Sequence, residues 1–551
     1  MIVKSNFIIT LFVSQTLTGF SQWNANTTIN TPVTIALKSQ QNIHSVADTK
    51  DGVILTWDDN RNNTVSSTDV YAQRIKSDGT PKWLANGLIV CDAVGIQKSN
   101  NITSGGIDAS AIITWEDGRA GNYDIYAQKI DSSGNVLWGT NGVVICNKTT
   151  NQKNPKIISD NAGGAIVVWE DSVNFYFDIY AQRINNLGVP QWASNGVAIC
   201  TAPNQQQNPT LDIDGLGGAI ITWQDKRNNS DYDIYAQQIT SNATLGWAVN
   251  GIVVCNAVNT QSNPRIEPDG SNGAIIGWVD KRNGLDYDVF SQRINASGTP
   301  LWATNGATVC LAATNQSAID MKYLGATGVL FAWKDDRAIK YQIYSQLLNL
   351  SGASQLVTNG VALSNGLKAV NSNMVRDGFG GAIVAWQDSS TIGWDIKAQK
   401  INSSGVAQWS VGGVVISDAV GDQVAVSHCA DTKGGAIFCW EDNRNGTDVN
   451  LYAQHAYNNG LTSVGIEELK TPFNSICYPN PINNNSIIQL NEIVSDWHIS
   501  ITAVLGEMVV EKHIIGQSYY PLNKSTFNEG VYFYTISVGN KSIRGTFISV
   551  K

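Results

Sequence analysis

NPKIISDNAGGAIVVWEDSVNFYFDIYAQRINNLGVPQWASNGVAIC, residues 154–200, is one copy of a motif that fills most of this chain. It contains four short β-rich runs, NPKIISD, GGAIVVWED, DIYAQRIN and NGVAIC, parted by turn-forming Asn, Asp and Gly. The second run closes on Trp169, with Asp171 two residues later. The same Trp–x–Asp pair occurs at Trp57, Trp115, Trp169, Trp223, Trp278, Trp333, Trp386 and Trp440, at intervals of 58, 54, 54, 55, 55, 53 and 54 residues. So regular a period means one supersecondary unit copied eight times. Four strands in about fifty residues, repeated, predict an all-β fold, a β-propeller of eight four-stranded blades, with seven as the alternative count. A linear β-solenoid is the structural rival, but its coils are shorter than this unit.

The ends of the array predict how the ring closes. Trp23 and the run Val33 to Leu37 look like a lone fourth strand. The eighth copy fades at Gly460 without one. Trp23, Trp83, Trp138, Trp192, Trp247, Trp302, Leu356 and Trp409 then precede eight fourth strands. A 1+3 closure, in which the leading strand completes the last blade, removes free sheet edges.

Residues repeated in every copy are expected to be framework. An Arg stands four residues after Trp in six copies (Arg61, Arg119, Arg227, Arg282, Arg337, Arg444), with Val173 and Ser390 in the other two. A Gln recurs in every third strand, from Gln73 to Gln454. Asp and Arg should brace one hairpin and Gln should satisfy backbone groups. A functional site is expected where copies differ. Thirteen residues before each core Trp stand His44, Ile102, Lys156, Thr210, Arg265, Asp320, Asn373 and Ser427. Of these, His44, Lys156, Arg265, Asp320 and Asn373 are candidate ligand contacts in a central channel, set against their reading as ordinary solvated channel residues. Tyr176 and Trp394, in pattern-breaking loops, are candidate sugar-stacking aromatics, with blade-edge packing as the plainer account.

Cys91, Cys146, Cys200, Cys255 and Cys310 share one register on the outermost strand, too far apart for bridging, and predict buried free thiols. Cys429 and Cys439 are the one local disulfide candidate. Five histidines without ligand spacing predict no metal site, and no cofactor motif appears. The net charge is −9, and the region from Ser475 is neutral, with five basic and five acidic residues, so the repeat region is acidic. Without clustered Lys and Arg, it predicts no nucleic-acid partner. Catalysis finds little support: Glu116, Glu170 and Glu441 directly follow core tryptophans, and Glu267 lacks a visible second carboxylate.

Residues 1–21 carry Lys4, a short apolar stretch and small residues before a cut, which predicts a signal peptide. The run is too short to span a bilayer, so an integral membrane protein is not expected. The organisation predicted is signal peptide 1–21, propeller 22–461, linker 462–475 and a small antiparallel β-sandwich at 476–551. That last segment, with Tyr478-Pro479-Asn480-Pro481, VLGEMV (504–509), EGVYFYTI (529–536) and a final strand ending at Lys551, resembles the C-terminal sorting domain of type IX secretion cargo from Bacteroidota. The resemblance implies handling by that secretion machinery and a secreted or outer-membrane surface-attached protein. The repeat region is similar to sialidase-like and kelch-like propellers, on the stretches SDGTPKW (77–83) and SSGNVLW (132–138), which look like degenerate Asp-box turns. The reading that combines these is a non-catalytic surface or secreted binding and adhesion module, its partner an extracellular polysaccharide or protein. The alternatives are a sialidase-like glycoside hydrolase and a structural envelope protein.

Overall fold

A computed structural model describes residues 23–24, 26–62, 68–106, 108–173, 175–337, 340–391, 393–462, 475–490, 496–538 and 541–550. The predicted signal peptide and most of the predicted linker lie outside these residues. The chain divides into two compact units, Met1–Ser463 and Val464–Lys551. Among the described residues there is no α-helix, only the 3-10 turns Gly325–Thr327 and Lys524–Thr526. Among the described residues no helix is long and apolar enough to cross a membrane.

The first unit consists of eight four-stranded antiparallel sheets. Seven are built in chain order, such as Gln152–Ser159, Ala165–Val173, Tyr176–Ile184 and Val197–Cys200. The eighth takes Gln423–Ala430, Ala436–Asp442 and Asn450–Ala456 from the end of the array and Thr31–Thr34 from its start. The first strand of each sheet is innermost and lies against its counterparts in the two neighbouring sheets. Gln40–Ala47 meets Gln423–Ala430 and seals the ring. Ser45 Oγ and Ser427 Oγ stand 2.8 Å apart across that seam. The eight core tryptophans are fully buried.

Each repeated polar residue has a structural task. In blade four Asp225 accepts from Trp223 Nε1 (2.8 Å) and from Arg227 N, Nε and Nη2 (2.9, 2.9 and 2.6 Å). Arg227 also donates to Asn250 O at 2.8 Å, tying the hairpin to the turn before the outermost strand. The glycine after that asparagine lies over the indole: a Cβ on Gly251, at φ +84°, would stand 2.6 Å from the Trp223 ring. Where Val173 and Ser390 replace the arginine, a lysine from elsewhere supplies the charge. Lys148 reaches Asp171 at 2.7 Å and Lys397 reaches Asp388 at 3.4 Å. The recurrent glutamine works as expected: Gln73 donates to Leu84 O and accepts from the amides of Arg74 and Trp83. In blade eight Gln454 makes the same donation to Asn24 O of the leading segment.

A second clasp links blades. In seven of the eight blades, all but the one with Leu356, an indole before the outermost strand donates to a turn carbonyl of the next blade, as Trp83 does to Ser132 and Trp192 to Ser241. Trp23 donates in the same way to Ser77 O at 2.8 Å, so the leading tryptophan belongs to blade eight and grips blade one. The outer cysteines are buried free thiols, but more than apolar filler. Cys200 Sγ accepts from Arg227 Nη2 of the next blade at 3.3 Å, and Cys91, Cys255 and Cys310 repeat the contact. Burial pushes the Cys200 thiol up to about 12. Cys429 and Cys439 are not bridged: the register sets Cys429 opposite Ile437 and Cys439 opposite Ser427, so the two are diagonal neighbours.

The bracing aspartate has a cost in charge. In six blades it stands directly opposite a second aspartate on the third strand, as Asp225 does with Asp233. Burial first, then Asp231 and Asp225, push Asp233 up to about 7. A carboxyl raised in the fold stabilises fully below its unfolded value near 4 and loses that contribution as pH rises through 7. Blades six and eight carry Gln342 and Asn450 there instead. Asp233→Asn should therefore raise the melting temperature at pH 8 and leave it little changed at pH 4, in paired thermal melts. Equal shifts at both pH values would refute the argument.

The second unit, described by itself, has a three-stranded sheet (Ser475–Tyr478, Ile487–Leu490, Tyr519–Pro521). Its four-stranded partner is Met508–Ile515, Asp496–Ala503, Gly530–Val538 and Lys541–Ser549. Trp497, Ile499, Ile501, Tyr532, Tyr534 and Phe547 form its buried core, which fits the predicted sandwich.

Candidate functional site

Every innermost strand carries a β-bulge near its start. The bulged residue has a left-handed backbone in all eight blades: Asn42, Ser99, Asn154, Asn208, Asn263, Ala318, Asn371 and Ala425, with φ between 50° and 56°. Asparagine dominates because it tolerates this conformation better than other side chains. The register break at each bulge comes from the strand pairing.

The bulge turns one amide away from its own sheet toward the preceding blade. At five successive junctions that amide is capped by the residue following the previous core tryptophan. Glu441 accepts from Asn42 N at 2.6 Å and Asp58 from Ser99 N at 3.0 Å. Glu116 accepts from Asn154 N (2.8 Å), Glu170 from Asn208 N (2.7 Å) and Gln224 from Asn263 N (3.1 Å). The next three junctions depart from this. Val279 and Lys334 hold the capping positions before Ala318 and Asn371. Gln387 directs its oxygen to Asn371 Nδ2 at 3.2 Å rather than to the Ala425 amide.

A cavity of about 590 Å³ opens at these three junctions. Ala318, Asn371 and Ala425 line it, with Arg265, Asp320, Ser372 and Asn373. Ser372 Oγ is buried there without a hydrogen-bond partner. Asp320 accepts from Met374 N at 2.7 Å and lies 3.8 Å from Lys322 Nζ.

Beneath this lining, adjacent innermost strands bring together charges that the sequence reading kept apart. Glu267 takes Lys322 on one oxygen at 2.7 Å, and Arg376 with Tyr323 N on the other. The expectation that Glu267 lacks a second carboxylate is corrected. Asp212 of blade four is pushed well up by burial and then by the Glu267 charge. Matching registers on neighbouring strands place such residues side by side, which spacing along one strand cannot reveal.

Of the sequence-predicted residues, the cavity gathers Arg265, Asp320 and Asn373. His44 and Lys156 stand on the same inner wall but outside the cavity lining. Burial and then the Lys156 charge drive His44 down to about 4, so it is neutral at physiological pH. In blade two the position equivalent to His44 is Asn101, opposite Thr114. Ile102 is buried instead, because the following turn, residues 105–110, is one residue longer than its counterpart 48–52 in blade one. Tyr176 is about half-exposed beside fully exposed Phe175. Trp394 borders a separate depression of about 520 Å³ with Lys340, Lys368 and Asp422. Neither aromatic lines the cavity. Among the described residues no cluster of His, Cys, Asp and Glu could hold a metal ion. Sequence reasoning missed the bulge amides and their caps, although the run Asp58, Glu116, Glu170, Gln224, Val279, Lys334 was visible as a change of type.

Residues 476–551 match the family of secretion system C-terminal sorting domains. The protein is thus exported by the type IX system to the cell surface or beyond. No curated protein matches the chain in sequence. Solved structures similar to it include an ulvan lyase of a new polysaccharide lyase family, at 10% identity over 80% of this chain and 98% of that one, TM-score 0.39. A second polysaccharide lyase is 8% identical over 68% and 91%, TM-score 0.41. An endo-arabinase from Bacteroides thetaiotaomicron is 15% identical over 50% and 98%, TM-score 0.24.

Proposed function

We propose that this exported protein is a non-catalytic binding module that holds an extracellular polysaccharide or protein at the cavity of blades five to eight. The observation that carries this reading is the placement of that cavity. The repeated framework is maintained at five consecutive junctions and abandoned at three, and the opening coincides with the three. Polar side chains converging on a concave site are what a hydroxyl-rich ligand needs. Support for a non-catalytic role comes from Glu267, whose two oxygens are both occupied by cations. A second reading, glycoside hydrolysis, draws on the proximity of Asp212 and Glu267.

A glycan array on the full exported chain, beside Asn373→Ala, tests the proposal. Binding that weakens in the variant supports it. Turnover of fluorogenic glycosides that Glu267→Gln or Asp212→Asn abolishes would replace it with the hydrolase. Silence in both assays, with retained attachment to cells, would favour the structural envelope role.

A further inference from the structure

We infer that the cavity is a receptor for carboxylate groups, so that the ligand is a polysaccharide bearing uronic acids. This deepens the binding-module reading and rests on it. The protein itself shows what a bulge amide accepts. At four of the five capped junctions the acceptor is a carboxylate, from Glu441, Asp58, Glu116 or Glu170, at 2.6–3.0 Å. At the three open junctions the same left-handed bulge is retained while the internal acceptor is gone. The amides of Ala318, Asn371 and Ala425 therefore border the cavity without a side chain of the preceding blade to receive them. A ligand carboxylate would complete the pattern the other blades make internally.

Three further features agree. Ser372 offers a buried hydroxyl without a partner, where the other bulges are followed by Ile, Pro, Val or Asn. Arg265 is exposed at the rim and supplies a fixed cation for a carboxylate. The innermost strands hold more basic than acidic side chains in an acidic chain. The eight innermost strands carry six basic side chains (Lys98, Lys153, Lys156, Arg265, Lys322, Arg376) against three acidic ones (Asp212, Glu267, Asp320), while the net charge of the protein is −9. Of these, Arg265 and Asp320 line the cavity itself, where Asp320 is engaged by Met374 N and Arg265 faces the opening, and Lys322 and Arg376 are paired with Glu267. The lining offers amide and hydroxyl groups that can bond the hydroxyls of a sugar chain.

The test is calorimetric titration of the full exported chain with four polymers. These are polygalacturonate, its fully methyl-esterified form, a sulfated galactan without uronate, and polyglutamate. Two variants accompany it. Lys334→Glu places a side-chain carboxylate where Glu116 and Glu170 stand in their blades, so that the protein caps Asn371 itself. Arg265→Gln alters an exposed residue and keeps the test open should the first variant fold poorly. Polygalacturonate should bind, and esterification or either variant should weaken it by about tenfold or more. Equal binding of the esterified polymer, or variants that bind as the parent does, would overturn the carboxylate receptor. So would failure to bind polygalacturonate. Preference for the sulfated polymer would assign the amides to sulfate, and preference for polyglutamate would assign them to an acidic protein; either overturns the inference. Neutral glycans that bind and are lost in Asn373→Ala would leave the binding module standing while this inference falls.

Discussion

Asp225→Ala should destabilise the ring by about 3–5 kcal/mol, the cost of removing one partner from a buried ion pair. Asp225 is fully buried and receives hydrogen bonds from Trp223 Nε1, from three nitrogens of Arg227 and, at 3.8 Å, from the Cys200 thiol. Alanine would strand the indole N–H in the core and leave the guanidinium with Asn250 O, Cys200 Sγ and the face of Tyr235. The exposed part of Arg227 can recover water, which sets the lower end of the range. Asp225→Asn should cost less, because the amide oxygen still accepts from the indole. The same effect is expected in blade three by another route: Lys148→Ala removes the cation from Asp171. Urea unfolding followed by tryptophan fluorescence measures both. A loss below about 1 kcal/mol for Asp225→Ala, the level of an exposed pair, would mean that the Trp–Asp–Arg clasp is ornamental.

The architecture was legible because it is written in repetition. The Trp–x–Asp interval announced eight copies, and the asymmetric ends, a lone strand before and a missing one after, announced the closure. The framework roles of Asp, Arg and Gln followed from their recurrence. Even the two exceptions, Val173 and Ser390, were visible, though their compensation by Lys148 and Lys397 was not, since Lys148 lies in the loop after the preceding outermost strand and Lys397 on a third strand, and both meet the aspartates only in space. The site was harder to see for a similar reason. Arg265, Asp320 and Asn373 stood out as variable positions and line the cavity. The groups that make the cavity distinctive are backbone amides, which carry no sequence letter. Their exposure depends on what the preceding blade fails to supply at Val279, Lys334 and Gln387. A fixed offset from the core tryptophan also misplaced one position, Ile102, because one turn had gained a residue.

Removing residues 23–37 should leave a protein that no longer closes. Blade eight would lose Thr31–Thr34, and the strand Asn450–Ala456 would become an open edge with unpaired N–H and C=O groups. Trp23 would be lost with it, and with it the indole contact to Ser77 O and the packing over Gly79 of blade one. The donation from Gln454 to Asn24 and the Arg444 contacts to Ile29 and Asn30 would also go. Trp23 is almost fully buried, so Trp23→Ala alone should cost about 3–5 kcal/mol. The truncated chain should do worse, because an open, flat edge pairs with other chains. Light scattering after size exclusion should then show oligomers or aggregate where the intact chain is expected to elute as one species. Thermal unfolding should begin at the blade-eight to blade-one seam, reported by early loss of protection of the amides in Gln40–Ala47 under hydrogen exchange. Retention of parent-like protection and elution by the truncated chain would show that the inner contacts between Gln40–Ala47 and Gln423–Ala430 suffice to hold the ring. The leading strand would then be an accessory to closure rather than its cause.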